Sequence, residues 1–169
     1  MTALRILFPE TEIARRVESV ARQIVERSPQ PQIAVPILSG AFVFSADLLR
    51  ALAKNGLDLP VEFLWLRSYA DSREGGAIAV LGPSLERIAG QHVLLIDGVL
   101  DRGRTMAKAK SLMRGAKSVT TVVAVDKMLE GVLEKSDLAL FTGTRGFIVG
   151  YGMDDAQTSR GLPYIACVD

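Results

Sequence analysis

The sequence predicts an α/β protein, a single domain in which helices flank a parallel twisted sheet. Short apolar runs with little polar alternation recur along the chain, as in strands buried on both faces of a parallel sheet. Amphipathic, helix-like stretches separate several of these runs, which implies strand–helix–strand units with right-handed crossovers. The length of 169 residues, without repeats, low-complexity tracts or a Pro/Ser-rich linker, fits one domain with one sizeable core.

The individual elements follow from local pattern. A first helix is predicted over Glu12–Arg27, because apolar residues recur there at helical spacing with charged residues between them, and Thr11 is the expected cap. The expected strands are Ile33–Leu38, His92–Ile96, Val119–Val125, Leu138–Phe141, Phe147–Val149 and Tyr164–Val168. Two further helices are expected over Ala41–Lys54 and Thr105–Arg114.

One region is predicted to form a long hairpin. Val61–Tyr69 and Ala77–Leu81 are strand-like, and the polar, glycine-bearing stretch Ala70–Gly76 joins them. The tip is a candidate for a mobile lid over a site, and a merely solvated loop is the alternative.

Composition excludes several classes of function. Twenty Lys and Arg against nineteen Asp and Glu give a net charge of +1, so no basic field attracts nucleic acid or a membrane surface. The single Cys167 cannot form an intramolecular disulfide, and with no signal-like N-terminus we expect a cytoplasmic protein. One Cys and one His cannot build a soft metal site, although carboxylates could hold a hard cation. The most apolar stretch, Ala34–Leu49, is interrupted by polar residues and Pro36, so it is not a membrane span.

The most informative segment is His92–Met106. It reads as a buried strand, an acidic strand end, a tight loop and a helix start, which places Asp97 and Asp101 at the edge of the sheet where open α/β folds bind ligands. The loop Asp101–Thr105 offers backbone N–H groups, a hydroxyl and a helix N-terminus, which favour a phosphate. It matches neither the dinucleotide nor the Walker A glycine pattern. A plain strand–helix turn with an Asp cap remains the alternative.

This segment resembles the phosphoribosyl pyrophosphate signature of type I phosphoribosyltransferases, and the rest of the chain resembles their hypoxanthine-guanine branch. The matches occur in order over almost the whole length: Leu38–Leu49, Ser68–Tyr69, Asp126–Lys127, Phe147–Asp154, Arg160 and Leu162–Ile165. The resemblance implies transfer of ribose 5-phosphate from phosphoribosyl pyrophosphate to a 6-oxopurine such as hypoxanthine or guanine. The products would be a purine mononucleotide (IMP or GMP) and pyrophosphate, with Mg²⁺ as cofactor.

The resemblance also implies an architecture. The type I fold would place the sheet and its helices at about residues 30–142, and a small hood formed by residues 2–8 and 145–169 would cover the base. A homodimer or homotetramer is expected on the same ground.

Roles on the phosphoribosyl side are implied for ten residues. The loop residues Asp101, Arg102, Gly103, Arg104 and Thr105 would bind the 5-phosphate, Asp97 the ribose and the metal, Asp154 the metal, and Ser39, Gly40 and Arg160 the pyrophosphate. Hard oxygen ligands suit Mg²⁺, and the planar guanidinium of Arg160 matches phosphate oxygens. A non-proline cis peptide is expected at Leu38–Ser39.

The resemblance also implies roles in purine binding, catalysis and closure of the site, and Asp101 has a second role among them. Asp101 would contact the imidazole side of the base as general acid/base. Lys127 would donate to the exocyclic oxygen, which a 6-amino purine lacks. Phe147 would stack on the base, Ile148 would meet its edge through the backbone, and Ser68 and Tyr69 would close over the reaction centre and exclude water.

Ordinary structural roles compete with these assignments. Asp101 could instead cap a helix, Lys127 could be a solvated strand-end residue, and Phe147 could fill the core. Trp65, Met106 and Met113 are expected to fill core, Cys167 to be a small buried hydrophobe and His92 to lie at the surface.

Three residues depart from the family pattern. Gly98 stands where a second acidic residue usually contacts the ribose, Arg102 where Thr is usual, and Ser39 where many members have Lys. Loss of one charged hydrogen bond costs about 1.5–3 kcal/mol, so the sequence predicts a working enzyme with altered handling of phosphoribosyl pyrophosphate. The alternatives are a nucleotide-binding regulatory homologue that has lost turnover and an unrelated phosphate-binding α/β module.

Overall fold

The computed structural model describes residues 4–68, 78–82 and 84–168. In chain order its elements are β1 (Leu4–Phe8), α1 (Glu10–Val25), β2 (Ile33–Leu38), α2 (Phe42–Lys54), β3 (Leu64–Ser68), β4 (Ile78–Leu81), α3 (Leu85–Ile88), β5 (His92–Leu100), α4 (Arg104–Leu112), β6 (Ser118–Asp126), β7 (Leu138–Thr142), β8 (Phe147–Val149) and β9 (Ile165–Val168). None of the helices in these ranges is long and apolar enough to span a membrane.

The main sheet has six strands in the order β4-β3-β2-β5-β6-β7. The five strands from β3 to β7 in this order are parallel, and β4 is an antiparallel edge strand. A second, antiparallel sheet in the order β1-β9-β8 joins the two ends of the described chain. The predicted α/β class with a parallel sheet flanked by helices is confirmed.

The core lies on both faces of the main sheet, as its continuous apolar strands require. Alternate residues of β5 belong to different clusters: Leu94 and Ile96 pack with α1, α2 and the second sheet, whereas Val93 and Leu95 pack with α3 and α4. Met106 and Met113 are buried in the cluster that contains Val93 and Leu95, and Cys167 is buried too, as predicted. Trp65 is only partly buried, since it lies on β3 near the edge of the sheet, and His92 is partly buried with Nδ1 2.6 Å from Ser118 Oγ.

Several element boundaries differ from prediction by one to four residues, and the structure gives a physical reason for two of these differences. The helix α1 begins at Glu10, because the carbonyl of extended Pro9 accepts from the amides of Glu12 and Ile13 at 3.0 and 3.1 Å. Thr11 therefore lies inside the first turn, and its predicted capping role is wrong. The strand β5 continues past the polar Asp97 to Leu100, because its pairing with β6 continues as far as Leu100 and Asp126.

The predicted hairpin is present as the pair β3 and β4, which is antiparallel from Trp65 opposite Leu81 to Ser68 opposite Ile78. Its tip, including Tyr69, lies outside the described residues. The predicted lid roles of Ser68 and Tyr69 therefore stay predictions.

Candidate active site

The candidate site lies at the carboxyl ends of the adjacent parallel strands β5 and β6. The amide of Lys127, just after β6, donates to the carbonyl of Leu100 at the end of β5, with an N···O distance of 3.0 Å. This pairing places Lys127 beside Asp101, and Lys127 Nζ donates to Asp101 Oδ2 at 3.1 Å. The side chain of Lys127 is 12% exposed and that of Asp101 is 49% exposed, so the carboxylate of this pair faces solvent.

The loop Asp101–Thr105 joins β5 to α4. A cleft of about 390 Å³ is lined by this loop, by Met106 and by the end of β5, including Asp97. Gly103 has a φ of +77°, and a Cβ there would lie 2.7 Å from the amide nitrogen of Glu134, so the turn requires glycine. The exposed Arg104 and Thr105 begin α4, whose first turn has no acidic residue. The cleft therefore meets a helix N-terminus with cationic side chains, which suits an anion.

Asp97 is a buried carboxyl group in the same cleft. It is 8% exposed, and its Oδ1 accepts from the amide of Gly98 at 2.7 Å. Burial raises the pKa of Asp97 from 3.8 to about 7, and the hydrogen bond from Gly98 opposes this rise. Near neutral pH the group can therefore hold or release a proton.

The loop after β2 and the turn after β8 supply the predicted pyrophosphate residues and one of the two predicted metal ligands, Asp154. The Leu38–Ser39 peptide bond is cis, as expected. Arg160 forms an ion pair with Asp154, with Nη2 2.8 Å from Oδ1, and its Nη1 donates to the carbonyl of Gly152 at 2.8 Å. The second carboxylate oxygen of Asp154 accepts from the amide of Gln157 at 2.9 Å.

The donors for a hard cation are sparse. Within the described ranges no three His, Cys, Asp or Glu side chains lie close enough together to hold a metal ion. Asp97 and Asp154 are carboxylates of the kind Mg²⁺ prefers, and a cation held by either one would draw its other ligands from phosphate oxygens and water, as Mg²⁺ commonly does.

The predicted purine residues lie beside this edge of the sheet. A cleft of about 530 Å³ is lined by Lys127, the three residues that follow it, and residues 143–146, which lead directly into Phe147. Phe147 is 53% exposed, so its ring is available for stacking rather than filling the core. Ile148 is buried and pairs with Cys167 in the second sheet.

Comparison with known proteins decides the family. The model of the phosphoribosyl transferase domain matches residues 6–156. The chain belongs to the phosphoribosyl transferase family. A hypoxanthine-guanine phosphoribosyltransferase from Aquifex aeolicus is 34% identical, and the alignment covers 98% of this chain and 95% of that protein. The hypoxanthine phosphoribosyltransferase of Escherichia coli is 32% identical over the same shares of the two chains.

Solved structures agree with this assignment. A hypoxanthine phosphoribosyltransferase from Trypanosoma cruzi superposes with a TM-score of 0.86 at 30% identity, and covers 99% of this chain and 92% of its own. The resemblance to the hypoxanthine-guanine branch is thus confirmed, and the chain is a phosphoribosyltransferase. The alternative of an unrelated phosphate-binding module is wrong. The relatives are named as enzymes, which favours turnover over the regulatory alternative.

The sequence reasoning missed what supports Lys127 in this phosphoribosyltransferase. Asp126 is 7% exposed, and its carboxylate accepts from the amide of Met128 at 2.8 Å and from Ser136 Oγ at 2.7 Å. It thereby fixes the start and the end of the segment 127–136. The only signal in the sequence was its position next to Lys127 in the matched pair.

The same segment also supports the phosphate loop. The amide of Leu133 donates to the carbonyl of Arg102 at 3.1 Å, and Lys110 Nζ lies 2.7 Å from Glu134 Oε2. Together with the close approach of Glu134 to Gly103, these contacts join the segment after β6 to the loop after β5. No local pattern indicates such contacts, because they join residues that are 24 or more positions apart.

Proposed function

We propose that this phosphoribosyltransferase moves ribose 5-phosphate from phosphoribosyl pyrophosphate to a 6-oxopurine, hypoxanthine or guanine. The bond between ribose C1 and the pyrophosphate oxygen breaks, a bond from C1 to a purine imidazole nitrogen forms, and IMP or GMP leaves with pyrophosphate. The observation that carries the proposal is the 3.1 Å pair of Lys127 and Asp101 beside the phosphate loop. It places one cationic donor and one carboxylate acceptor within reach of a single planar base.

The two groups of this pair have complementary tasks. Lys127 donates to the exocyclic oxygen of the base, and an exocyclic amino group offers no acceptor at that place, so the lysine selects 6-oxopurines. Asp101 accepts the proton that the imidazole side of the base gives up and returns it in the reverse reaction. Phe147 stacks on the base with its exposed ring, and Ile148 contacts the base edge through its backbone.

The phosphoribosyl half is bound by the other end of the site. The amides of the loop Asp101–Thr105 and the N-terminus of α4 bind the 5-phosphate, and the guanidinium groups of Arg102 and Arg104 add positive charge. Asp97 contacts the ribose. Ser39, Gly40 and Arg160 bind the pyrophosphate.

Mg²⁺ is part of the proposal. Asp154 and Asp97 would hold it together with oxygen atoms of the substrate, and it would neutralise the charge of the leaving pyrophosphate. Each carboxylate oxygen of Asp154 already has one partner, Arg160 at Oδ1 and the Gln157 amide at Oδ2, and each oxygen keeps a further lone pair with which it could ligate a cation. A homodimer or homotetramer also stays a prediction.

Turnover of the purified chain tests the proposal. With Mg²⁺ and millimolar phosphoribosyl pyrophosphate, we expect hypoxanthine or guanine to be converted to nucleotide, with one pyrophosphate released per nucleotide. Asp101→Ala should abolish turnover and still bind GMP in calorimetry. The matched control is Asp58→Ala, which removes an exposed carboxylate from the loop that leads into β3, at the opposite edge of the sheet. If hypoxanthine, guanine and xanthine all give no nucleotide, the proposal is wrong.

A further inference from the structure

The carbonyl of Gly40 lies between two other glycines. A Cβ atom added to Gly98 would lie 2.8 Å from the Gly40 oxygen and 3.1 Å from its carbonyl carbon. A Cβ added to Gly152 would lie 2.6 Å from the same oxygen. Real Cβ atoms do not approach backbone atoms so closely, so the loop at Gly40 can occupy this place only because both neighbours lack side chains.

Gly98 connects this carbonyl to β5. It directly follows the buried Asp97, and its amide donates to the Asp97 carboxyl group at 2.7 Å. The family pattern usually has a second acidic residue at this position, and in this chain the space where such a side chain would begin is filled by the Gly40 carbonyl. The departures from the family pattern at Gly98 and in the Ser39–Gly40 loop are therefore spatially linked.

Gly152 connects the same carbonyl to the turn that holds Arg160. Its amide donates to the Arg160 carbonyl at 2.9 Å, and its own carbonyl accepts from Arg160 Nη1 at 2.8 Å. Arg160 is in turn paired with Asp154. The loop after β2 thus packs between the strand that carries Asp97 and the turn that carries Arg160 and Asp154.

We propose that Gly98 is a positioning residue for pyrophosphate: by lacking a side chain, it lets the Ser39–Gly40 loop pack directly on β5, opposite Arg160. This inference rests on the proposed function, in which the loop binds the pyrophosphate group. It replaces the expectation that glycine at this position only removes a contact to ribose. An acidic side chain at position 98 would move the loop rather than restore binding.

The size of the effect follows from the distances. Ordinary van der Waals contact of a Cβ begins at 3.4 Å, and the Cβ of Gly98→Ala would lie at 2.8 Å, so the loop must move by about 0.6 Å. A misplacement of 1 Å in a catalytic site can cost about a hundredfold, so a shift of this size corresponds to about a tenfold loss. Gly98→Ala tests this contact better than Gly152→Ala does, because the φ of +99° at Gly152 would add backbone strain for any residue with a side chain.

Steady-state kinetics in both directions provide the first test. For Gly98→Ala we expect KM to rise about tenfold for phosphoribosyl pyrophosphate and for pyrophosphate in the reverse reaction, with KM for hypoxanthine changed less than twofold. Gly98→Asp should also raise KM for phosphoribosyl pyrophosphate. The matched control is Gly115→Ala, whose Cβ would meet its nearest atoms at 3.7 Å, and it should leave all three constants unchanged. A lower KM in Gly98→Asp, or an unchanged KM for pyrophosphate in Gly98→Ala, would overturn the inference.

A second measurement uses the unaltered chain and so does not depend on whether a variant folds. In ¹⁵N-labelled protein titrated with magnesium pyrophosphate, the amide signals of Gly40, Gly98 and Gly152 should shift with one common Kd, while Gly115 stays in place. Movement of Gly40 without Gly98 would overturn the inference and leave the proposed function intact. If the unaltered chain neither turns over nor binds pyrophosphate, the proposed function fails and the inference fails with it.

Discussion

The buried carboxyl of Asp97 makes a quantitative prediction about stability against pH. An aspartate in the unfolded chain has a pKa of 3.8, and burial raises the pKa of Asp97 in the folded protein to about 7. The folded state therefore holds the proton more tightly than the unfolded state, so stability falls as pH rises between these two values. The difference corresponds to about 4 kcal/mol, at 1.36 kcal/mol per pKa unit, and the loss is complete above about pH 7.

Asp97→Asn removes this titration and keeps an oxygen that can accept from the amide of Gly98. The free energy of unfolding should be measured by urea denaturation at pH 4, 5, 6, 7 and 8, in EDTA so that no divalent cation stabilises the carboxylate. We expect the free energy of unfolding of the variant to rise relative to that of the unaltered protein by up to about 1.4 kcal/mol per pH unit between about pH 4 and pH 7. Above pH 7 the difference should level off at about 4 kcal/mol.

The control for this experiment is Asp58→Asn, which alters an exposed carboxylate. Its free energy of unfolding should run parallel to that of the unaltered protein at every pH. If the curves for Asp97→Asn and the unaltered protein are also parallel from pH 4 to pH 8, burial does not hold the proton on Asp97, and the reasoning is refuted.

Three further predictions follow from single contacts. Lys127→Met should lower kcat/KM for hypoxanthine ten- to a hundredfold, because a charged hydrogen bond contributes about 1.5–3 kcal/mol, and should leave KM for phosphoribosyl pyrophosphate unchanged. An equal loss of kcat/KM for both substrates in initial-rate assays would contradict this. Gly103→Ala places a Cβ 2.7 Å from the Glu134 amide nitrogen at a φ of +77°. The variant should therefore be about 1–3 kcal/mol less stable in urea denaturation and have a higher KM for phosphoribosyl pyrophosphate. An unchanged free energy of unfolding together with an unchanged KM would contradict a strained turn at Gly103. Tyr151→Phe removes a buried hydroxyl that donates to Asp47 at 2.7 Å, and should lower the free energy of unfolding by about 1 kcal/mol without changing kcat; a changed kcat would show that this contact reaches the site.

The fold was predictable because burial dictates its pattern. Strands covered on both faces must be apolar throughout, so runs such as Ile33–Leu38 are visible without any structure. Where strand pairing overrides the pattern, prediction fails: Asp97 interrupts the apolar run, and β5 nevertheless continues to Leu100. The start of α1 was missed because the carbonyl of Pro9, rather than a side chain, accepts from the first free amides.

The candidate site was predictable only where its residues form a continuous motif. The loop Asp101–Thr105 can be recognised as a phosphate-binding motif from the sequence alone. The pairing of Lys127 with Asp101 follows once β5 and β6 are known to be neighbouring strands. The contacts of Gly98 and Asp126 are different in kind. Each depends on the packing of a loop that is distant in sequence or on a buried hydrogen bond, and no local periodicity encodes either one.

A crystal structure of the chain with bound guanosine monophosphate tests the central claim most directly. We expect the phosphate within about 3.2 Å of amide nitrogens in the loop Asp101–Thr105, and Lys127 Nζ at a similar distance from the exocyclic oxygen of the base. Phe147 should lie against the face of the base. If no phosphate binds in the loop Asp101–Thr105, or if Lys127 stays paired with Asp101 while the base binds elsewhere, the proposed phosphate and purine sites are wrong.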